Sequence, residues 1–129
     1  MPLMENKIMN ESKTTEIHSI ARLKIFPGKL EEFKRISHKC MGIVKTKDKG
    51  TLQYETYFNS DETECVVFER YKSSEALLDH FKNLGETFNE ILETCSGEGE
   101  VCGIISPELR KALEGSPVRN FLPFESLSY

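Results

Sequence analysis

Two hydrophobic periods alternate along the chain, and their order constrains the fold more than any other feature. A strand-like stretch ends at Pro27-Gly28 and gives way to a helix-like one. Two further strand-like stretches follow, the second reading Val66-Val67-Phe68-Glu69-Arg70-Tyr71. A second amphipathic helix then carries Ser74-Glu75-Ala76-Leu77-Leu78-Asp79-His80. The order is β-α-β-β-α, which predicts an α+β domain with an antiparallel sheet and helices on one face.

The side-chain pattern predicts which faces are covered. In the first strand, Ile17 to Phe26, Ile17, Ala21, Leu23 and Ile25 share a parity that Ser19 interrupts. His18, Ile20, Arg22 and Lys24 take the other. The first helix is predicted from Lys29 to Lys45, with Leu30, Phe33, Ile36, Cys40, Ile43 and Val44 on its apolar face. In the second strand, Thr51 to Asn59, Leu52, Tyr54, Thr56 and Phe58 line one face, and Asn59-Ser60-Asp61 turns the chain into the third. That strand, Glu64 to Tyr71, is apolar on both faces: Val66 and Phe68 point one way, and Cys65, Val67 and Tyr71 the other. Such a strand is covered on both sides. The helices cover one side, and a partner subunit is expected to cover the other.

The second helix is predicted to reach Cys95, with Gly85 as a weak point. Ser96-Gly97-Glu98-Gly99 reads as a loop and Val101 to Ile105 as a fourth strand. Ser106-Pro107-Glu108 opens a short helix. Val118 to Phe124 reads as an extended edge segment, with Phe121 and Phe124 docking onto the body. Residues 1–15 read as a flexible tail, and 16–129 as one domain with a C-terminal extension from about residue 100.

Composition narrows the partners. The net charge of -4 comes from 17 basic and 21 acidic residues, and no basic stretch is suited to a phosphate backbone. Nucleic acid is therefore not an expected partner. No apolar run approaches the roughly 18 residues of a membrane span. Cys40, Cys65, Cys95 and Cys102 are irregularly spaced, with neither a zinc pattern nor a disulfide framework. They are expected to be free thiols in a reducing cytoplasm, three of them on apolar faces, with Cys95 the more exposed. The three histidines are scattered, so no metal site is expected, and no glycine-rich phosphate loop or nucleophile elbow is present.

Six residues stand out as candidates for chemistry. His80 lies on the buried side of the second helix. It reads either as a packed histidine meeting a carbonyl or carboxylate, or as a base positioned to take a phenolic proton. Glu69 sits in a strongly apolar strand and needs a partner. It reads as an ion pair with a basic residue such as Arg22 or Lys24, or across a dimer, or as a group that orients a substrate hydroxyl or His80. Tyr54, Tyr57 and Tyr71 offer flat walls to a planar ligand or pack in the core or an interface; Arg22 and His18, with Glu55, read as the polar end of a pocket or as a solvated face.

Several short segments, in this order and spacing, resemble the antibiotic biosynthesis monooxygenase (ABM) family. They are Pro27-Gly28-Lys29 with Glu32 and Phe33, Gly50-x-Leu52-x-Tyr54-Glu55, Phe68-Glu69-Arg70-Tyr71, and Ser74-Glu75-Ala76-Leu77 with His80. The resemblance spans about Ile17 to Leu92 and implies a ferredoxin-like protomer paired into a dimeric α/β barrel. Members of that superfamily include cofactor-independent oxygenases of quinols and polycyclic aromatic compounds, and haem-degrading enzymes. The haem-degrading branch uses a tryptophan, an asparagine and a histidine. This chain has no tryptophan, and its first strand has no asparagine. Two readings follow. One is a cofactor-free monooxygenase of a small aromatic or quinol-like substrate, with His80 and Glu69 in its site and Arg22, Tyr54, Tyr57 and Tyr71 around the substrate. The other is a non-catalytic homodimer that binds a small molecule or has a structural role. An inward-pointing His80 beside an open pocket favours the first; a cavity filled by Tyr54, Phe68 and Phe81 favours the second.

Overall fold

The computed structural model describes residues 15–127; the predicted tail, up to residue 14, lies outside them. Strand β1 (Ile17–Ile25) leads into helix α1 (Leu30–Lys47), then β2 (Thr51–Phe58) and β3 (Glu64–Tyr71). Helices α2 (Ser74–Leu84) and α3 (Glu86–Leu92) follow, then β4 (Cys95–Cys102), α4 (Pro107–Leu113) and β5 (Val118–Phe121). The five strands form one sheet in the order β2-β3-β1-β4-β5. Strands β1 to β4 pair antiparallel, and β5 joins β4 in parallel at the edge. This is the ferredoxin-like α+β arrangement with one added strand.

The helices lie on one face of the sheet. Strand alternation sends Ile17, Ser19, Ala21 and Leu23 of β1 and Cys65, Val67, Glu69 and Tyr71 of β3 toward them. Phe33, Ile36, Cys40 and Val44 of α1 and Ala76, Leu77 and Leu84 of α2 are buried opposite. The other face holds Ile20, Arg22, Tyr57, Val66, Phe68 and Arg70, and no helix among the described residues covers it. Phe68 is 42% exposed and Tyr57 is 52% exposed, their rings meeting edge to face at 5.7 Å.

Three elements depart from expectation. The segment 96–99 is strand, not loop: β4 pairs with β1 along its whole length, from Ile25↔Cys95 to His18↔Cys102. Its glycines mimic turn composition, but they serve a close approach. A Cβ on Gly99 would stand 2.5 Å from the Ile20 carbonyl oxygen, and one on Gly97 would stand 2.9 Å from Leu23 Cδ2. The predicted long second helix is two helices, because Gly85 takes φ 51°, ψ -128° and ends the α2 ladder at Phe81. The chain therefore leaves helix before Cys95. That thiol is buried beneath α3, bonding to the Ile91 carbonyl, and Cys102 is the partly exposed cysteine instead.

In β2 the register slips between Thr51 and Gln53, so Leu52 is 40% exposed while Tyr54 turns inward beside Phe33 and Val67. At the C-terminus, Phe121 joins the sheet through β5, pairing with Cys102, but Phe124 does not dock. Phe124 is 86% exposed, and Leu122 and Leu127 are exposed as well.

Candidate active site

The site begins where α1 ends. Asp48 is the C-cap residue of that helix, its backbone N–H returning to the Val44 carbonyl. A carboxylate at a helix C-terminus meets the negative end of the dipole, so other groups must hold it. Three do. Thr51 Oγ1 donates to Asp48 Oδ2 at 2.7 Å, Asn83 Nδ2 donates to Oδ1 at 2.8 Å, and His80 Nδ1 lies 2.7 Å from Oδ2. His80 and Asn83 are three residues apart on α2, so one helix face presents both. The Asp48 side chain is 2% exposed and that of His80 is 4% exposed. Burial pushes the Asp48 carboxyl up, but the hydrogen bonds from Asn83, Thr51 and His80 outweigh it and hold the group below its ordinary range. For His80, burial pulls the imidazole down and Asp48 only partly restores it.

These shifts assign the protons. Asp48 is ionised and can only accept, so Nδ1 of His80 carries a proton and donates it. The neutral ring then presents Nε2 as an acceptor. That nitrogen has no protein partner among the described residues, and none of their buried side-chain nitrogens or oxygens is left unpaired. Nε2 therefore opens onto the cavity that His80 lines. The rings of Tyr54, Tyr71 and Phe81 stand 5.4, 5.4 and 6.0 Å from the imidazole and fix its plane.

The cavity occupies about 730 Å³ between the sheet and the helices. Its walls are mostly apolar, with Leu23, Phe33, Leu84, Phe88 and Ile91 among them. Glu69 enters it from β3. Burial lifts the Glu69 carboxyl to about 7. The Tyr71 hydrogen bond pulls against this, and the charge on Asp48 adds to it. The Tyr71 hydroxyl donates to Glu69 Oε1 at 2.5 Å. Tyr54, beside Glu69 in the sheet register, also lines the cavity. Its hydroxyl has no protein partner among the described residues and is held protonated, first by burial and then by Glu69.

The six candidates thus divide. His80, Glu69 and Tyr54 face the cavity, and Tyr71 stands behind Glu69 as its hydrogen-bond donor. Glu69 makes no ion pair with Arg22 or Lys24, because β1 turns those residues to the opposite sheet face. Arg22 pairs there with Glu100 at 3.2 Å. Tyr57 bonds Glu55 on that outer face too, so neither Arg22 nor Tyr57 lines this cavity. Asp48 was not anticipated. It lies among Lys45, Lys47 and Lys49 in what reads as a charged helix exit. The one available signal was that a buried histidine needs an acceptor.

The arrangement defines a class: a ferredoxin-like shell enclosing an apolar cavity lined by a carboxylate-held histidine and a buried acid whose carboxyl is raised by burial. Among the described residues, no group of three histidine, cysteine or acidic side chains is placed to hold a metal.

A family model described as antibiotic biosynthesis monooxygenase matches residues 16–93, and the chain belongs to that family. Among solved structures, MupZ from Pseudomonas fluorescens superposes with a TM-score of 0.77 at 25% identity, covering 89% of this chain and 90% of that one. Rv0793 from Mycobacterium tuberculosis gives a TM-score of 0.62 at 21% identity, covering 70% and 96% of the two chains. SnoaB, a cofactor-independent oxygenase from Streptomyces nogalater, gives 0.60 at 11% identity, covering 72% and 94%. No curated protein matches the sequence. Rv0793 and SnoaB are almost wholly matched yet leave more than a quarter of this chain uncovered, whereas MupZ leaves little.

Proposed function

We propose that this protein is an enzyme that moves protons on a hydrophobic, oxygen-bearing substrate, and that it acts as a cofactor-independent monooxygenase of a phenolic or quinol-like compound. The observation that carries this reading is His80 Nε2, an unpaired acceptor at the edge of an apolar cavity, with Asp48 fixing its tautomer. In the proposed reaction Nε2 takes the proton of a substrate hydroxyl, and the imidazolium that forms is stabilised by Asp48. The resulting electron-rich anion reduces oxygen by one electron, and the radical pair combines into a carbon-bound peroxide. The imidazolium returns its proton to the peroxide, and Nε2 then takes the proton from the oxygenated carbon as the O–O bond breaks and the carbonyl forms. The departing hydroxide takes a proton from Glu69 to become water, and the proton on His80 passes back to Glu69 to reset the site. All four electrons that reduce oxygen come from the substrate, so no external reductant is required. Family membership and the likeness to SnoaB support this reading.

A redox-neutral reading has its own observation. Glu69 and His80 line one cavity and hold opposite proton states near neutrality, which suits any reaction needing an acid and a base together. Oxygen uptake with hydroquinones and polycyclic phenols separates the two. Uptake above the spontaneous rate, lost in His80→Ala, establishes oxygenation. Product formation without uptake, equally lost in that variant, assigns the redox-neutral role.

We also propose that the protein is a cytoplasmic homodimer. The uncovered sheet face, with Phe68 and Tyr57 outermost, supports pairing, and four free thiols support a reducing compartment. No helix among the described residues is long and apolar enough to cross a membrane.

A further inference from the structure

The floor of the cavity has a direction. Pairing register places Thr56, Val67, Ala21, Gly99 and Val118 in a single row across all five strands, and every one of them lines the cavity. The neighbouring row runs Tyr54, Glu69, Ser19 and Val101. Its polar members belong to β2, β3 and β1, while beyond β1 the floor is Val101, Gly99 and Val118. From Glu69 on β3 to Val118 on β5 there are three strand spacings, or about 14 Å. Gly97 and Gly99 of β4 line the cavity without side chains of their own; β1 approaches closely at both, with the Leu23 side chain lying over Gly97, so backbone and Leu23 form the floor there. At the far end, Ala112 of α4 and Pro117 form one side, and Phe88 and Leu92 of α3, both 41% exposed, also line the cavity.

We infer that the substrate is elongated, with its hydroxyl-bearing head at His80 and Glu69 and an unbranched apolar tail running beneath β4 to β5. The C-terminal segment from β4 onward is the specificity wall for that tail. It lies beyond the matched family region, 16–93; β4 completes the ferredoxin-like sheet, while α4 and β5, which close the far end of the path, are added to it. This rests on the reading that the head binds at His80 and Glu69.

The test is isothermal titration of the full-length protein with 4-alkylphenols from butyl to octyl, with 2-naphthol and 2-anthrol as fused-ring comparisons. Affinity is expected to rise about fourfold per methylene, the gain for burying one in an apolar environment. Octylphenol should bind more tightly than 2-anthrol. Ala112→Glu, on the exposed side of α4, and Val118→Glu, at the end of the row, should each weaken octylphenol at least tenfold while changing butylphenol less than twofold. Two variants are used so that misfolding of the more buried one leaves the other to decide. A flat series, tighter binding of 2-anthrol, no binding at all, or equal losses for both chain lengths overturns the inference. Binding is read without turnover. A chain-length gain in a protein that converts none of these phenols keeps the inference and removes the phenol-monooxygenase reading; turnover with a flat series does the reverse.

Discussion

At the residue scale, Asp48 decides whether His80 can act. Without a buried acceptor on Nδ1, a neutral imidazole is free to take either tautomer, and the cavity-facing nitrogen can become a donor. His80→Ala is expected to lower turnover by about 10²–10⁴-fold, the usual weight of a general base. Asp48→Asn should act mainly on kcat, because it misplaces a proton without emptying the cavity. Glu69 adds a pH signature. Its carboxyl is lifted from 4.5 to about 7 by burial, so the folded state holds its proton more tightly than the unfolded state. Its contribution to stability is fully present below pH 4.5 and is lost as pH rises through 7. Melting temperatures across that window should therefore fall in the wild type relative to Glu69→Gln. His80, whose pKa is lowered, favours the folded state above 6.5 and penalises it as pH falls below, which is why the variant comparison is needed. In activity, a neutral His80 gives an acid limb below 6.5 and a protonated Glu69 an alkaline limb near 7. Glu69→Gln should abolish the alkaline limb alone; an alkaline limb that persists in the variant removes Glu69 from the proton inventory.

At the element scale, the glycine strand β4 is the least expected component. Ser96-Gly97-Glu98-Gly99 has turn composition, and single-sequence reasoning reads it as a turn. Its strand character comes from β1, which offers an unpaired edge eight residues long to whatever follows α3. Gly99→Ala tests this directly. The new methyl would meet the Ile20 carbonyl oxygen, forcing β1 and β4 apart at an expected cost of about 1–3 kcal/mol in urea unfolding. A variant as stable as the wild type would show that the strands part freely. The α2–α3 break was better marked, because a glycine inside an apolar helical stripe is a recognised weak point. That it ends α2 outright follows from its positive φ.

At the scale of the whole molecule, the unfinished surface is the outer sheet face. Val66 and Phe68 were legible as outward-facing apolar residues from strand parity alone, and they do point away from the helices. A homodimer predicts a light-scattering mass twice 14.8 kDa. Phe68→Lys, which puts a charge into the proposed interface, should shift that mass to the monomer value without changing helical content. A wild-type mass of 14.8 kDa at micromolar concentration overturns the dimer.

The sequence by itself determined the element order, the inward parity of β3 and the burial of His80, because these follow from local periods of two and 3.6 residues. It determined too that Glu69 required a partner, since a charge is not buried alone. Which partner is a long-range question. Asp48 and His80 are 32 positions apart, and the two meet only when α1 ends against α2. Tyr71 rather than Arg22 or Lys24 satisfies Glu69 because strand alternation puts both cations behind the sheet. The bulge at Leu52 and the glycines of β4 are local features whose meaning depends on a neighbouring strand. The tertiary structure alone decided the cavity, since its volume is set by what five strands and four helices leave unfilled.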